Sequence, residues 1–130
     1  MVEVGASGGG GASERPILVV EDDEDTVAAL RMLLADEGYA SITAPDVQHA
    51  IAAIERDDPG LVLLDWSLDD GSGEAVLSAA LHRPVTRTPV VLMTGSSSFT
   101  SRSFKDADAI LRKPFDVGEL LQMVARFYRP

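Results

Sequence analysis

Ile17-Leu18-Val19-Val20, Leu61-Val62-Leu63-Leu64 and Val90-Val91-Leu92-Met93 are uninterrupted apolar runs, separated by longer segments whose apolar residues recur every three or four positions. A strand with one wet face alternates apolar and polar side chains, so the unbroken run Leu61 to Leu64 is expected to be a central strand covered on both faces. Such strands belong to parallel sheets, whose connections are helices crossing over in a right-handed sense to both sides. From Pro16 onward the chain is therefore expected to form a three-layer α/β domain of five strands alternating with helices.

The intervening text supports that reading. Thr26 to Glu37 carries Val27, Leu30, Leu33 and Leu34 at helical spacing and is stopped by Gly38. A second strand is expected near Ala40 to Ala44. Pro45-Asp46 then opens a helix with Val47, Ala50, Ile51 and Ile54 inward, and Pro59-Gly60 marks its exit. In the loop Asp69-Asp70-Gly71-Ser72-Gly73, Ser72 can cap a helix bearing Val76, Leu77 and Ala80. A short last strand covers about Ala109 to Leu111. Asp116 with Glu119 makes a capping box for a terminal helix packed through Leu120, Leu121, Val124 and Phe127. Gly95 to Asp106 is serine-rich, with Phe99 and Phe104 as its anchors, and predicts a short or frayed helix.

Twenty-one acidic against eleven basic residues leave the 130-residue chain a net charge of −10, which opposes a broad nucleic-acid or anionic-membrane surface. There is no cysteine, which excludes disulfides, thiolate catalysis and thiolate metal sites. The start Met1-Val2-Glu3-Val4 is not a secretory leader, and the apolar runs are too short for a bilayer, so a cytoplasmic setting is expected. Residues 1–15, with Gly8-Gly9-Gly10-Gly11, have little to bury and read as a mobile tail before a domain over 16–130.

Carboxylates follow two of the apolar runs. Glu21 and Asp22 follow the first, and Asp65 follows Leu64. If these strands are neighbours, the acids converge at one sheet edge and repel unless a cation sits among them. Hard carboxylate oxygens, with the backbone carbonyl of Ser67 in reach, suit Mg²⁺, Mn²⁺ being the alternative ion, and Glu21 acts through a bound water. Asp65 is the candidate nucleophile toward phosphorus; Lys113 and Thr94, at two further strand ends, are the candidate contacts for phosphoryl oxygens. Each of these residues has an ordinary structural use when taken singly; their joint placement at four strand ends carries the reading. His49 and His82 lack a ligand or dyad pattern and read as surface residues. Trp66, next to Asp65, is expected to be partly exposed near the pocket or packed under the following loop.

Ile17-Leu18-Val19-Val20-Glu21-Asp22-Asp23-Glu24-Asp25, Leu63-Leu64-Asp65-Trp66-Ser67-Leu68, Gly71-Ser72-Gly73, Val91-Leu92-Met93-Thr94-Gly95 and Lys113-Pro114-Phe115, in this order, closely resemble the receiver domain of bacterial two-component response regulators. The resemblance covers roughly Pro16 to Phe127. It implies a CheY-like, doubly wound sheet of order 2-1-3-4-5 and Mg²⁺-dependent phosphorylation of Asp65 by a phosphohistidine donor, with Thr94 and Lys113 sensing the phosphate. It also implies a histidine kinase or histidine phosphotransfer protein as partner, a protein as downstream target, and a monomer or weak phosphorylation-dependent dimer. With Arg129 and Pro130 alone after the last expected helix, the chain reads as a stand-alone receiver that catalyses its own phosphorylation and dephosphorylation without conventional turnover.

Three positions depart from the family pattern. Asp69 stands where proline is usual, Ile110 where an aromatic residue is usual, and the interval from Thr94 to Lys113 is shorter, in the helix before the last strand. They motivate a second reading, a receiver-like interaction module that works without phosphorylation. Phosphorylation itself requires none of the three. An aspartate-nucleophile phosphatase on the same sheet would need a general acid where Ser67 stands.

Overall fold

Each of the three apolar runs is a strand, and each is buried along its whole length: β1 (Ile17–Val20), β3 (Leu61–Asp65) and β4 (Val90–Thr94). The edges of the sheet are β2 (Ser41–Ala44) and β5 (Ala109–Arg112), giving a five-stranded, all-parallel sheet of order β2-β1-β3-β4-β5. This computed structural model describes residues 15–66, 73–83, 87–95 and 106–130. The expectations for the tail up to residue 14, the Ser67 carbonyl, Asp69, the Ser72 cap and the helix within 96–105 fall outside those residues.

The period of two along the strands divides the core. Leu18, Val20, Val62, Leu64, Val90 and Leu92 pack with Val47, Ala50, Ala53 and Ile54 of α2 (Val47–Asp57) and Val76, Leu77 and Ala80 of α3 (Gly73–Leu81). Ile17, Val19, Leu61, Leu63, Val91, Met93 and Leu111 pack with Leu30 and Leu34 of α1 (Glu24–Asp36) and Leu120 and Val124 of α4 (Val117–Phe127). Both faces are therefore covered, as the strand composition requires.

Aspartates set the helix starts. Asp23, Asp46 and Asp116 accept the N–H groups of Thr26, His49 and Glu119 at 3.0, 2.8 and 3.0 Å. The cap at Asp23 starts α1 at Glu24, two residues before the expected Thr26. At its other end Gly38, at φ 88°, closes α1: the Gly38 N–H donates to Ala35 and the Tyr39 N–H to Leu34, both at 2.9 Å. In α4 the half-buried Met123, rather than Leu121, joins Leu120, Val124 and Phe127 against the core. Thr94 and Arg112 extend β4 and β5 by one residue each beyond the apolar runs, because they pair in register across the two strands.

The strand entries are tied to the end of the chain. Gly60 donates its N–H to the Pro16 carbonyl at 2.9 Å and accepts the Arg129 N–H at 3.0 Å. The Tyr128 hydroxyl donates to the Arg15 carbonyl at 2.6 Å, and its ring meets Tyr39 edge-on at 5.0 Å. This leaves the opposite edge, where the strands end, to carry polar groups.

Two glycine substitutions separate backbone strain from crowding. Gly38→Ala meets no atom within 4 Å and is expected to cost about 1 kcal/mol through its left-handed φ alone. Gly60→Ala would place its β-carbon against the Arg129 carbonyl oxygen and 2.8 Å from the Tyr128 ring, and is expected to cost about 2 to 3 kcal/mol. Urea unfolding midpoints of the two variants check the order.

Candidate functional site

Parallel pairing brings the ends of β1 and β3 level: Val20 lies beside Leu64, so Glu21 and Asp65 follow as neighbours at the carboxyl edge. On the other side Asp65 pairs with Met93, which puts Thr94 one step beyond. The Trp66 N–H donates to the Met93 carbonyl and the Lys113 N–H to the Thr94 carbonyl, at 2.9 and 2.8 Å, so the polar residues of three strand ends hang on one ladder. Binding groups of doubly wound sheets collect at this edge.

Glu21, Asp65 and Thr94 are each only 2% exposed. One oxygen from each of Glu21, Asp22 and Asp65 lies within 4.8 Å of the others, and Asp22 is exposed to solvent. The Lys113 ammonium reaches into this group, with Nζ 2.9 Å from Glu21 Oε1 and 3.3 Å from Asp65 Oδ1. The second Glu21 oxygen, Oε2, accepts the Asp23 N–H at 3.2 Å. The Lys113-Pro114 peptide is cis.

Burial pushes the Glu21 carboxyl above the usual carboxylate range, and the neighbouring Asp65 adds to this, although the Lys113 hydrogen bond acts in the opposite direction. For Lys113, burial favours the neutral amine, but hydrogen bonding to Glu21 and the charge of Asp65 outweigh it and hold the pKa above the ordinary lysine value. Among the described residues three carboxylates gather beside the Lys113 ammonium, which contacts the two buried ones, Glu21 and Asp65. An all-oxygen donor set of this kind fits a hard divalent cation such as Mg²⁺.

Of the expected site residues, Glu21, Asp22, Asp65 and Lys113 come together, and Thr94 is buried at the adjoining strand end. The bond from Lys113 to Glu21 joins residues 92 positions apart and is not visible in the sequence, where Glu21 reads as a water-mediated metal contact. Its signal was the position of Glu21 as the first polar residue after a fully buried strand. His49 and His82 are exposed; His49 Nδ1 lies 2.7 Å from Asp46 Oδ1, and His82 Nδ1, just past the end of α3, lies 2.9 Å from the Ser78 carbonyl. Trp66 is half-buried and packs with the core on the α2 and α3 side, as does Ile110. Among the described residues no helix is long and apolar enough to cross a membrane.

Residues 17–125 match the family model of the response regulator receiver domain. The transcriptional regulatory protein TcrA of Mycobacterium tuberculosis is 38% identical over 96 residues, which are 72% of this chain and 38% of that protein, so the chain spans well under half the length of this relative. The CheY-like response regulator receiver domain protein of Methanospirillum hungatei superposes with a TM-score of 0.78 at 29% identity, over 87% of this chain and 92% of that one. The receiver domain of the sensor histidine kinase PA1611 of Pseudomonas aeruginosa, at 23% identity and TM-score 0.78 over 88% and 97% of the two chains, has the same fold, and its structure holds a magnesium ion in the active-site cleft.

The crowding of acids has a measurable consequence. In chelator-treated buffer Asp65→Asn is expected to stabilise the fold by about 1 kcal/mol, since one dehydrated like charge disappears. Millimolar Mg²⁺ should shrink that difference by stabilising the parent alone. Denaturant midpoints of both proteins with and without the ion test this; an Asp65→Asn protein no more stable than the parent in chelator contradicts the repulsion.

Proposed function

We propose, for a chain that belongs to the response regulator receiver domain family, that Asp65 is the acceptor of a phosphoryl group delivered by a phosphohistidine partner in a Mg²⁺-dependent reaction. The observation that carries this reading is the joint approach of Lys113 to Glu21 and Asp65 beside Asp22. A lone buried aspartate would not attract a phosphoryl group, itself an anion; one flanked by an ammonium and a cation-binding pair can.

Asp22, Asp65 and the Ser67 carbonyl would hold the ion, with Glu21 outside them through water. The chemistry Mg²⁺ supplies there is neutralisation of charge between the attacking carboxylate and the phosphoryl oxygens. An Asp65 carboxylate oxygen forms the new bond to phosphorus as the donor's nitrogen–phosphorus bond breaks, and the electron pair stays on the imidazole nitrogen, which takes up a proton. Lys113 exchanges its contact with Asp65 for one with a phosphoryl oxygen, and the Thr94 hydroxyl donates to another. Glu21 keeps the ammonium from leaving the pocket meanwhile.

A groove of about 380 Å³ beside Lys113, lined by Asp25, Thr26, Ala29, Leu30, Leu33, Pro114 and Phe115, offers the histidine-bearing partner a seat next to the acids. A histidine kinase or histidine phosphotransfer protein fills that role, a cytoplasmic setting follows from such partners, and the signal leaves by protein contact. Ile110 puts an aliphatic side chain where an aromatic switch would stand, so the readout runs through Thr94 and Lys113 without it.

Incubation with acetyl phosphate and Mg²⁺ tests the reading. The expected result is one added phosphoryl mass per chain, lost with chelator and absent in Asp65→Asn. Retention of the adduct in Asp65→Asn would contradict the assignment, and no adduct in the parent despite measurable metal binding would favour an interaction module instead.

A further inference from the structure

Glu21 accepts the Lys113 ammonium on one carboxylate oxygen, Oε1 at 2.9 Å, and the Asp23 N–H on the other, Oε2 at 3.2 Å. A glutamate side chain is long and flexible, and a carboxylate held by one oxygen alone can swing about it. The second hydrogen bond fixes its plane, and with it the direction in which Oε1 meets the ammonium. What holds that N–H is the start of α1. Asp23 stands in extended cap geometry, at φ −84° and ψ 113°. Its Oδ2 accepts the Thr26 N–H at 3.0 Å and the Thr26 hydroxyl, and its carbonyl accepts the Val27 N–H at 3.0 Å. Side chain and carbonyl are thus both engaged by the first turn, and α1 is itself fixed on the sheet through the fully buried Leu30 and Leu34. The Asp23 N–H turns the other way, back to Glu21.

Hydrogen bonds therefore run without a break from Thr26 through Asp23 and Glu21 to Lys113, whose Nζ lies 3.3 Å from Asp65 Oδ1. We propose that Asp23 is a positioning residue for the acceptor site: by capping α1 it fixes the N–H that orients Glu21, and through Glu21 it sets where the Lys113 ammonium stands beside Asp65. This inference rests on the acceptor reading, because it assigns a consequence to the contact between Lys113 and the incoming phosphoryl group. Asp23 is exposed and its carboxylate faces Thr26, so the site depends on the cap it makes and not on its charge. Misplacing a reacting group by about 1 Å can slow a reaction roughly a hundredfold.

Asparagine caps a helix about as well as aspartate and alanine does not, which separates cap from charge. Phosphorylation by acetyl phosphate, which needs no protein partner, is timed for the parent, Asp23→Ala, Asp23→Asn and Asp46→Ala, each at its own saturating Mg²⁺. Asp46→Ala removes the cap of α2 and controls for lost stability. The rate is expected to fall about tenfold in Asp23→Ala and to stay near the parent's in the other two. Thr26→Val keeps the N–H but loses the hydroxyl bond to Asp23; it is expected to fall between, and carries the comparison if Asp23→Ala does not fold. The ammonium itself gives a second readout. The chain has two lysines, Lys105 and Lys113, so Lys105→Arg assigns the proton–nitrogen spectrum of the side-chain ammonium groups in metal-free protein. Lys113 is expected to give a slowly exchanging signal in the parent and in Asp23→Asn, and to lose it to exchange with water in Asp23→Ala. Parental rates in both Asp23→Ala and Thr26→Val would overturn the inference while leaving the acceptor reading standing. So would a loss in Asp23→Asn or Asp46→Ala equal to that in Asp23→Ala, or a Lys113 signal absent from the parent or unchanged in Asp23→Ala. A parent that forms no adduct would overturn both.

Discussion

Everything at the carboxyl edge of the sheet depends on the cost of holding like charges together away from water. Glu21 and Asp65 are almost fully buried, Asp22 lies within carboxylate reach of both, and the ammonium of Lys113 touches the first two. Burial without compensation would protonate or expel such groups. The strands resist expulsion: Asp65 ends β3 between Leu64 and a Trp66 whose N–H is held by the Met93 carbonyl, and Glu21 is tied to β2 through its own N–H to the Ala44 carbonyl. The fold thus keeps carboxylates under repulsion and makes them receptive to positive charge.

The same logic separates the duties of the acidic run Glu21-Asp22-Asp23-Glu24-Asp25. Composition alone admits a solvated cluster at a helix start or a metal site, and the chain uses both. Glu21 and Asp22 turn to the pocket, while Asp23 caps α1, where its hydrogen bonds with Thr26 hold its carboxyl below the usual range. One residue of chain direction decides between them: Glu21 still continues the line of β1, donating its N–H to the Ala44 carbonyl at 3.1 Å, whereas Asp23 already has extended cap geometry.

Much of this was legible in sequence because strong local signals agreed with the fold. The unbroken run from Leu61 to Leu64 called for cover on two faces, Gly38 and the aspartates at 46 and 116 punctuated the helices, and the strand ends pointed to the polar residues that converge at the carboxyl edge. What escaped was of two kinds. Choices between neighbouring apolar residues, such as Met123 over Leu121 in α4, depend on the rotation of the helix against the sheet, which periodicity leaves loose. Contacts between distant residues, such as Lys113 with Glu21, exist only once the strands are in register. The departures at Ile110 and in the interval before it were visible as text, yet text does not say what replaces an absent aromatic switch.

The most direct test of the acceptor site is a crystal structure grown with Mg²⁺ and beryllium fluoride, a tetrahedral phosphoryl mimic. The account predicts beryllium joined to an Asp65 carboxylate oxygen, its fluorides within hydrogen-bond reach of Thr94 and Lys113, and the metal against Asp22 and Asp65. Mimic and metal bound elsewhere, or Lys113 turned away from the occupied pocket, would contradict it.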